Sequence, residues 1–192
     1  MHFEAIRDFE WLNEPVFRFD ADGLVITPAP DSDFWQDRCD NVGRDNGHFF
    51  YTRRSGNFVL DVVWQLLPAY SGEGFCGLMA RIDAENWCRI VLNRKADGQE
   101  AVCVSVTNFG CSDLAQILLP RSSSRIIFRL QAQNGVLQLA FSTDGRHFVS
   151  VRRFRLLADY NALNAGACIY NSGSGNFEAV LADVDFAAAT DK

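Results

Sequence analysis

The stretch GLMARIDAENWCRIVLN, residues 77–93, decides the fold. Apolar and polar residues alternate on either side of an acidic turn, the pattern of two strands folded back as a hairpin. Leu78, Cys88, Ile90 and Leu92 supply a core side, and Trp87, Arg89 and Asn93 fall together on the other. Whether Arg81 joins them depends on the turn. A three-residue loop pairs Arg81 with Trp87, whereas a two-residue loop pairs it with Cys88 and splits the set. The second side is either solvated surface or the floor of a binding site.

The same strand-and-turn text continues outward. VFRF and LVIT flank a reversal at Asp20–Gly23, and GHFFYTRR and NFVLDVVWQL flank Ser55–Gly56. Phe58, Leu60, Val62 and Trp64 alternate with Val59, Asp61, Val63 and Gln65, so the first set is expected to face a core. FCGLMARID, NWCRIVLN and EAVCVSVTNFG read as neighbouring strands. RIIFRLQ and VLQLAFS are joined through Asn134–Gly135, a hairpin signal because both residues accept positive φ. Asp144–Gly145 marks another reversal, and GSG at 173–175 reads as a turn. Leu156 to Asn164 is open to a helical turn, a loop being the equal alternative. With no linker or repeat, residues 1–192 read as a single all-β domain, a sandwich or jelly roll rather than a βαβ protein.

Composition narrows the partners. At 192 residues and 48% hydrophobic, the chain can bury a sizeable core. A net charge of −6 gives no long-range attraction to phosphate backbones, so nucleic acid is not expected as a partner. The basic run VRRFR, Val151 to Arg155, reads as a strand edge. MHFEAIRDFEW carries acids and no long apolar run, so neither a signal peptide nor a membrane span is expected. Of six cysteines, Cys76, Cys88 and Cys103 sit inside apolar runs. All six are read as thiols and the location as cytoplasmic.

A set of short motifs occurs in a fixed order: WLNEP (11–15), DFW (33–35), DNGHFFY (45–51), GLMARIDAENW (77–87), SVTNFGCSD (105–113) and FSTDGRHF (141–148). With the terminal GSGNFEAVLADVDF, they resemble a domain-of-unknown-function family named after regulation of enolase (DUF1349-like). The resemblance implies a concanavalin-A-like two-sheet sandwich and a role near carbon metabolism, with no settled reaction. Two positions depart from the family pattern. Asn93 stands where a glutamate is frequent, and Leu114 where a tryptophan often follows the Ser-Asp pair.

In such a sandwich one curved face can hold a sugar chain, which needs aromatic faces for ring surfaces and planar polar groups for hydroxyls. The candidates are Trp35, His48, Tyr51, Arg81, Trp87, Arg89, Asn93 and Ser105, with Arg129 as an addition. A hydrolase needs two positioned carboxyl groups. No Glu-x-Asp-x-x-Glu run occurs; Asp83 and Glu85 fall at a hairpin turn where acids are solvated, and Asp61 reads as water-facing. His2, His48 and His147 lack metal-ligand spacing, and DADG lacks the later ligands of a calcium loop. Cys39 and Cys111 fall in loops without an activating pattern. No cofactor or metal is expected. The expectation is a non-enzymatic module binding a carbohydrate or sugar-derived metabolite. One alternative is a protein-interaction module regulating a metabolic enzyme; another is a glycan-active enzyme without a recognisable carboxylate pair.

Overall fold

Alternating runs bounded by Gly, Asn and Asp become strands throughout the computed structural model, which describes residues 6–68, 72–95 and 97–189; His2 lies outside the described residues. The first eight strands are β1 (Glu10–Leu12), β2 (Val16–Phe19), β3 (Leu24–Thr27), β4 (Phe34–Asp37), β5 (Val42–Asp45), β6 (His48–Arg54), β7 (Phe58–Leu66) and β8 (Gly74–Asp83). The rest are β9 (Asn86–Arg94), β10 (Glu100–Asn108), β11 (Cys111–Leu118), β12 (Arg125–Gln133), β13 (Val136–Ser142), β14 (Val149–Phe154), β15 (Leu163–Tyr170) and β16 (Ala179–Ala188).

They form two curled antiparallel sheets packed as a sandwich. The nine-stranded sheet runs β1-β6-β15-β8-β9-β10-β11-β4-β5, and the seven-stranded sheet runs β14-β13-β12-β7-β16-β3-β2. Between them lie the expected inward residues: Phe58, Leu60, Val62 and Trp64 from β7, Leu78 and Ala80 from β8, and Cys88, Ile90 and Leu92 from β9. The Trp64 indole N–H donates to the Gly77 carbonyl at 3.0 Å and so bridges the sheets. A strand with one solvated face alternates in burial, as β12 does. In β9 every residue is buried. Something therefore covers its outer face as well.

The hairpin at 77–93 adopts neither simple loop. Asp83 pairs with Asn86 across a two-residue turn, yet Arg81 pairs with Trp87, because a bulge at Ile82 restores the register. Asp83 fixes this turn by accepting from the Glu85 backbone N–H at 2.8 Å and the Asn86 amide at 2.9 Å. Arg81, Trp87, Arg89 and Asn93 consequently share one face. Residues 156–162 form a loop, with no helical turn, before β15 begins.

Asn134 (φ 52°) and Gly135 (φ 72°) occupy the left-handed region that a two-residue hairpin requires. Gly135→Ala is expected to cost about 1 kcal/mol from that backbone conformation. A β-carbon there would meet only the movable end of Arg155. Urea unfolding should show a lower midpoint at unchanged slope; an unchanged midpoint would count against the turn geometry. Among the described residues, no helix is long and apolar enough to cross a membrane.

Candidate functional site

Part of the cover over β9 comes from a strap, residues 28–33, which reaches the outer face of the nine-stranded sheet where Asp33 meets Arg89. Its Ser32 N–H donates to the Asn171 carbonyl at 2.9 Å, and the Asn171 N–H donates back to the Ser32 hydroxyl at 3.0 Å. Asn46 ties the strap from the other side, donating to the Asp31 carbonyl and accepting from the Asp33 N–H at 3.0 Å each. The strap leads into Phe34, which caps a second apolar cluster with Phe49, Met79, Trp87, Val91, Cys103, Cys168 and Tyr170. Gly47 is required beneath it: a β-carbon there would fall 2.4 Å from the Phe34 ring.

His48 is the rivet of this arrangement. Its Nε2 accepts from the Ala29 N–H at 2.9 Å, so the neutral ring carries its proton on Nδ1 and donates to the Asn13 carbonyl at 2.5 Å. Burial lowers its pKa against the opposing pull of the Asn13 carbonyl. The expected ligand contact at His48 is thus replaced by a structural one. Protonation would break the Ala29 bond, and the unfolded chain takes up the proton more readily than the folded one. Stability should be full above the unfolded histidine value of about 6.5 and fall as pH drops from there toward the folded pKa. Urea midpoints between pH 7.5 and 5 should decline less for His48→Gln than for the parent. Parallel declines would remove His48 as the cause.

Beside the strap opens a groove of about 420 Å³. Trp35, Phe75, Tyr170 and Leu114 form apolar walls, and Asp33, Glu73, Arg89, Asn93, Lys95 and Gln116 supply polar groups. Arg89 is only 5% exposed; its Nη1 donates to Asp33 at 2.9 Å, and its guanidinium lies 4.5 Å from the centroid of Tyr170 and 5.3 Å from that of Trp87. Asn93 donates to the Glu73 carboxylate at 2.9 Å. Ser105 pairs with Arg89 across β9 and β10. Among the described residues, three buried side-chain atoms lack a hydrogen-bond partner, and all belong here: Arg89 Nε, Asn93 Oδ1 and Ser105 Oγ. Each such atom costs about 1–3 kcal/mol unless something else satisfies it. Burial pushes the Tyr170 phenol well above its usual range and raises the Cys103 thiol, so both are neutral at physiological pH.

The structure thus brings Trp35, Arg89 and Asn93 together in the groove, sets Ser105 beside Arg89 on β10, and disperses the other candidates. Trp87 is fully buried in the apolar cluster under Phe34 rather than exposed as a stacking wall. Arg81 is likewise buried, spending its guanidinium on Asp45. Tyr51 lies over β6, stacked on Phe49 at 4.9 Å and reaching Glu10 at 3.3 Å. Arg129 is on the other sheet, paired with Asp61 at 2.6 Å. Glu85 meets Arg38 at the surface, as a solvated turn acid would. Sequence reasoning missed Asp33, Glu73, Phe75 and Tyr170, which reach the groove from distant segments. DFW was the available signal for Asp33, since it places an acid two residues before Trp35.

Comparison with known proteins bears on this geometry. A family model described as a protein of unknown function (DUF1349) matches residues 11–188. Regulation of enolase protein 1 of Saccharomyces cerevisiae is 28% identical over 144 residues, covering 74% of this chain and 71% of the yeast protein. A crystal structure of a functionally unknown S. cerevisiae protein superimposes with TM-score 0.86 at 21% identity, covering 97% of this chain and 99% of that one. The carbohydrate-binding module CBM66 from Bacillus subtilis superimposes with TM-score 0.57 at 13% identity, covering 94% and 96%. The two solved structures share the fold, a jelly-roll sandwich.

Proposed function

This chain belongs to the DUF1349 family of proteins of unknown function, and on that premise we propose that it is a ligand-binding module holding a carbohydrate or sugar-derived metabolite in the groove over β9. The observation that carries the reading is the concentration of unpartnered buried polar atoms on Arg89, Asn93 and Ser105, beside a groove walled by aromatic rings. Rings take the apolar face of a sugar, and Arg89 and Asn93, turned outward from the groove floor, take its hydroxyls. The shared fold with a carbohydrate-binding module is in keeping with this. A cytoplasmic setting is part of the proposal, suggested by the regulatory name of the yeast relative.

Trp35 tests the reading because it lines the groove without being fully buried. Trp35→Ala should weaken a glycan found by array screening about fivefold, the worth of one aromatic stacking contact, while leaving the melting temperature nearly unchanged. Undiminished affinity would place the ligand elsewhere.

A protein-interaction module regulating a metabolic enzyme is the second reading. It is favoured by β11, which pairs with β4 through Cys111 alone and leaves Leu114, Ile117 and Leu118 exposed along an open edge. A glycan-active enzyme has less support. Asp33 and Glu73 do line one groove, but each already has an oxygen committed, to Arg89 and Asn93 respectively.

A further inference from the structure

Resting on the carbohydrate reading above, we infer that the groove selects a neutral glycan segment at least two sugar residues long, and that Glu73 sets the preference at one end. Arg89 and Asn93 leave the same face of β9 four residues apart, about 13 Å along an extended strand. That exceeds the width of one sugar ring. The groove therefore has two polar stations, one at Arg89 and Asp33 and one at Asn93 and Glu73, with Trp35 and Leu114 among the apolar groups lining it.

The stations differ in what they ask of a ligand. Arg89 can only donate, and its charge is already met by Asp33; its unspent Nε needs an acceptor. An ionised Glu73 can only accept, so it holds the Asn93 NH2 toward itself and leaves the Asn93 oxygen as an unspent acceptor. That oxygen needs a donor. Both atoms lie below the groove surface, so the ligand meets them by turning the Arg89 and Asn93 side chains outward. A hydroxyl serves either station, because it both donates and accepts. A carboxylate or phosphate has no proton to offer Asn93 and would approach the carboxylates of Asp33 and Glu73. An ammonium would fail at Arg89 in the same way. Lining charges are balanced as well, Arg89 and Lys95 against Asp33 and Glu73, so no net field draws in an ionic ligand. Neutral, hydroxyl-rich and elongated is the chemistry that fits both ends.

Calorimetry on the full chain would compare xylobiose, cellobiose, maltose and mannobiose with the methyl glycosides of their monomers, and with glucuronic acid and glucose 6-phosphate. At least one neutral disaccharide should bind about tenfold more tightly than its monomer and than either anion, the worth of about one further satisfied polar group. Its affinity should change less than about twofold between 50 and 500 mM salt, since no ionic attraction is screened. Asn93→Ala should bring the disaccharide down toward its monomer and leave the monomer unaffected. Glu73→Ala, at a half-buried position, removes the acceptor that orients Asn93 and should do the same if Asn93→Ala fails to fold. Equal binding of monomer and disaccharide, or preference for an anion, would overturn the inference; if Trp35→Ala weakened that binding, the carbohydrate reading would survive. Absence of binding by every sugar would overturn both.

Discussion

Glu100→Ala is expected to remove about 4 kcal/mol of stability, the cost of breaking a buried ion pair by removing one member. Glu100 sits at the start of β10 with its side chain 1% exposed. One carboxylate oxygen accepts from Arg94 Nε at 2.8 Å and the Ser122 hydroxyl at 2.7 Å, and the other from the Ser123 N–H at 2.9 Å. Arg94 in turn donates to the Leu67 carbonyl at 2.8 Å. The pair therefore ties the β9–β10 hairpin to the segments before β8 and β12. Truncation takes from the buried Arg94 guanidinium the carboxylate that accepts from its Nε. Replacing both residues, Arg94→Met with Glu100→Leu, removes both buried charges and should recover at least half of the loss. Urea unfolding of Glu100→Ala and of the double variant would measure this. A single-variant loss below about 1 kcal/mol would mean that solvent reaches the pair.

Arg89→Ala should cost about 3 kcal/mol and also abolish binding in the groove. The sequence suggests an exposed arginine whose removal would be nearly neutral to stability. The strap reverses that expectation, because Arg89 is buried beneath it and balances Asp33, whose side chain is 20% exposed. Removing the guanidinium leaves the Asp33 carboxylate with less compensation and opens a void against Tyr170 and Trp87. Asp33→Asn separates the two effects. It keeps the shape of the strap and weakens only the charge pairing, so it should cost less than half as much as Arg89→Ala. The urea midpoint gives stability, and titration of the folded fraction with whichever glycan binds gives affinity. Full stability in Arg89→Ala would show that the strap is held without the ion pair.

The sandwich was legible because its signals are local. Alternation marked the inward face of β7, and Asn134–Gly135 marked a hairpin with the expected backbone. The bulge at Ile82 carries no such mark, so the register of Arg81 stayed open until the strands were seen paired. The site was half legible. Arg89, Asn93 and Ser105 follow from strand periodicity and cross-strand pairing, which place them on one face. Their burial does not follow from it. For Arg89 it comes with Asp33, more than fifty positions away, and for Asn93 with Glu73, and no local pattern announces that such segments will lie across a sheet. The same distance effect turned Trp87 from a wall into a core residue. Arg94 and Glu100 could have been found, since opposite charges flank the turn signal at Asp97–Gly98.

The strand order also fixes when the molecule can become itself during synthesis. β15 lies between β6 and β8, and β16 lies between β7 and β3, so each sheet takes a central member from residues 163–188. Until those residues leave the ribosome, β8 lacks a neighbour on one side and β7 on another, and Trp64 and Leu78 have no finished interior to enter. Vectorial folding from the first residue is closed to this topology. The two halves must wait and then assemble cooperatively through contacts of long sequence separation, which places the protein among slow folders. During that wait the unfilled gap beside β7 is an open edge, the feature that holdase chaperones and aggregation compete for.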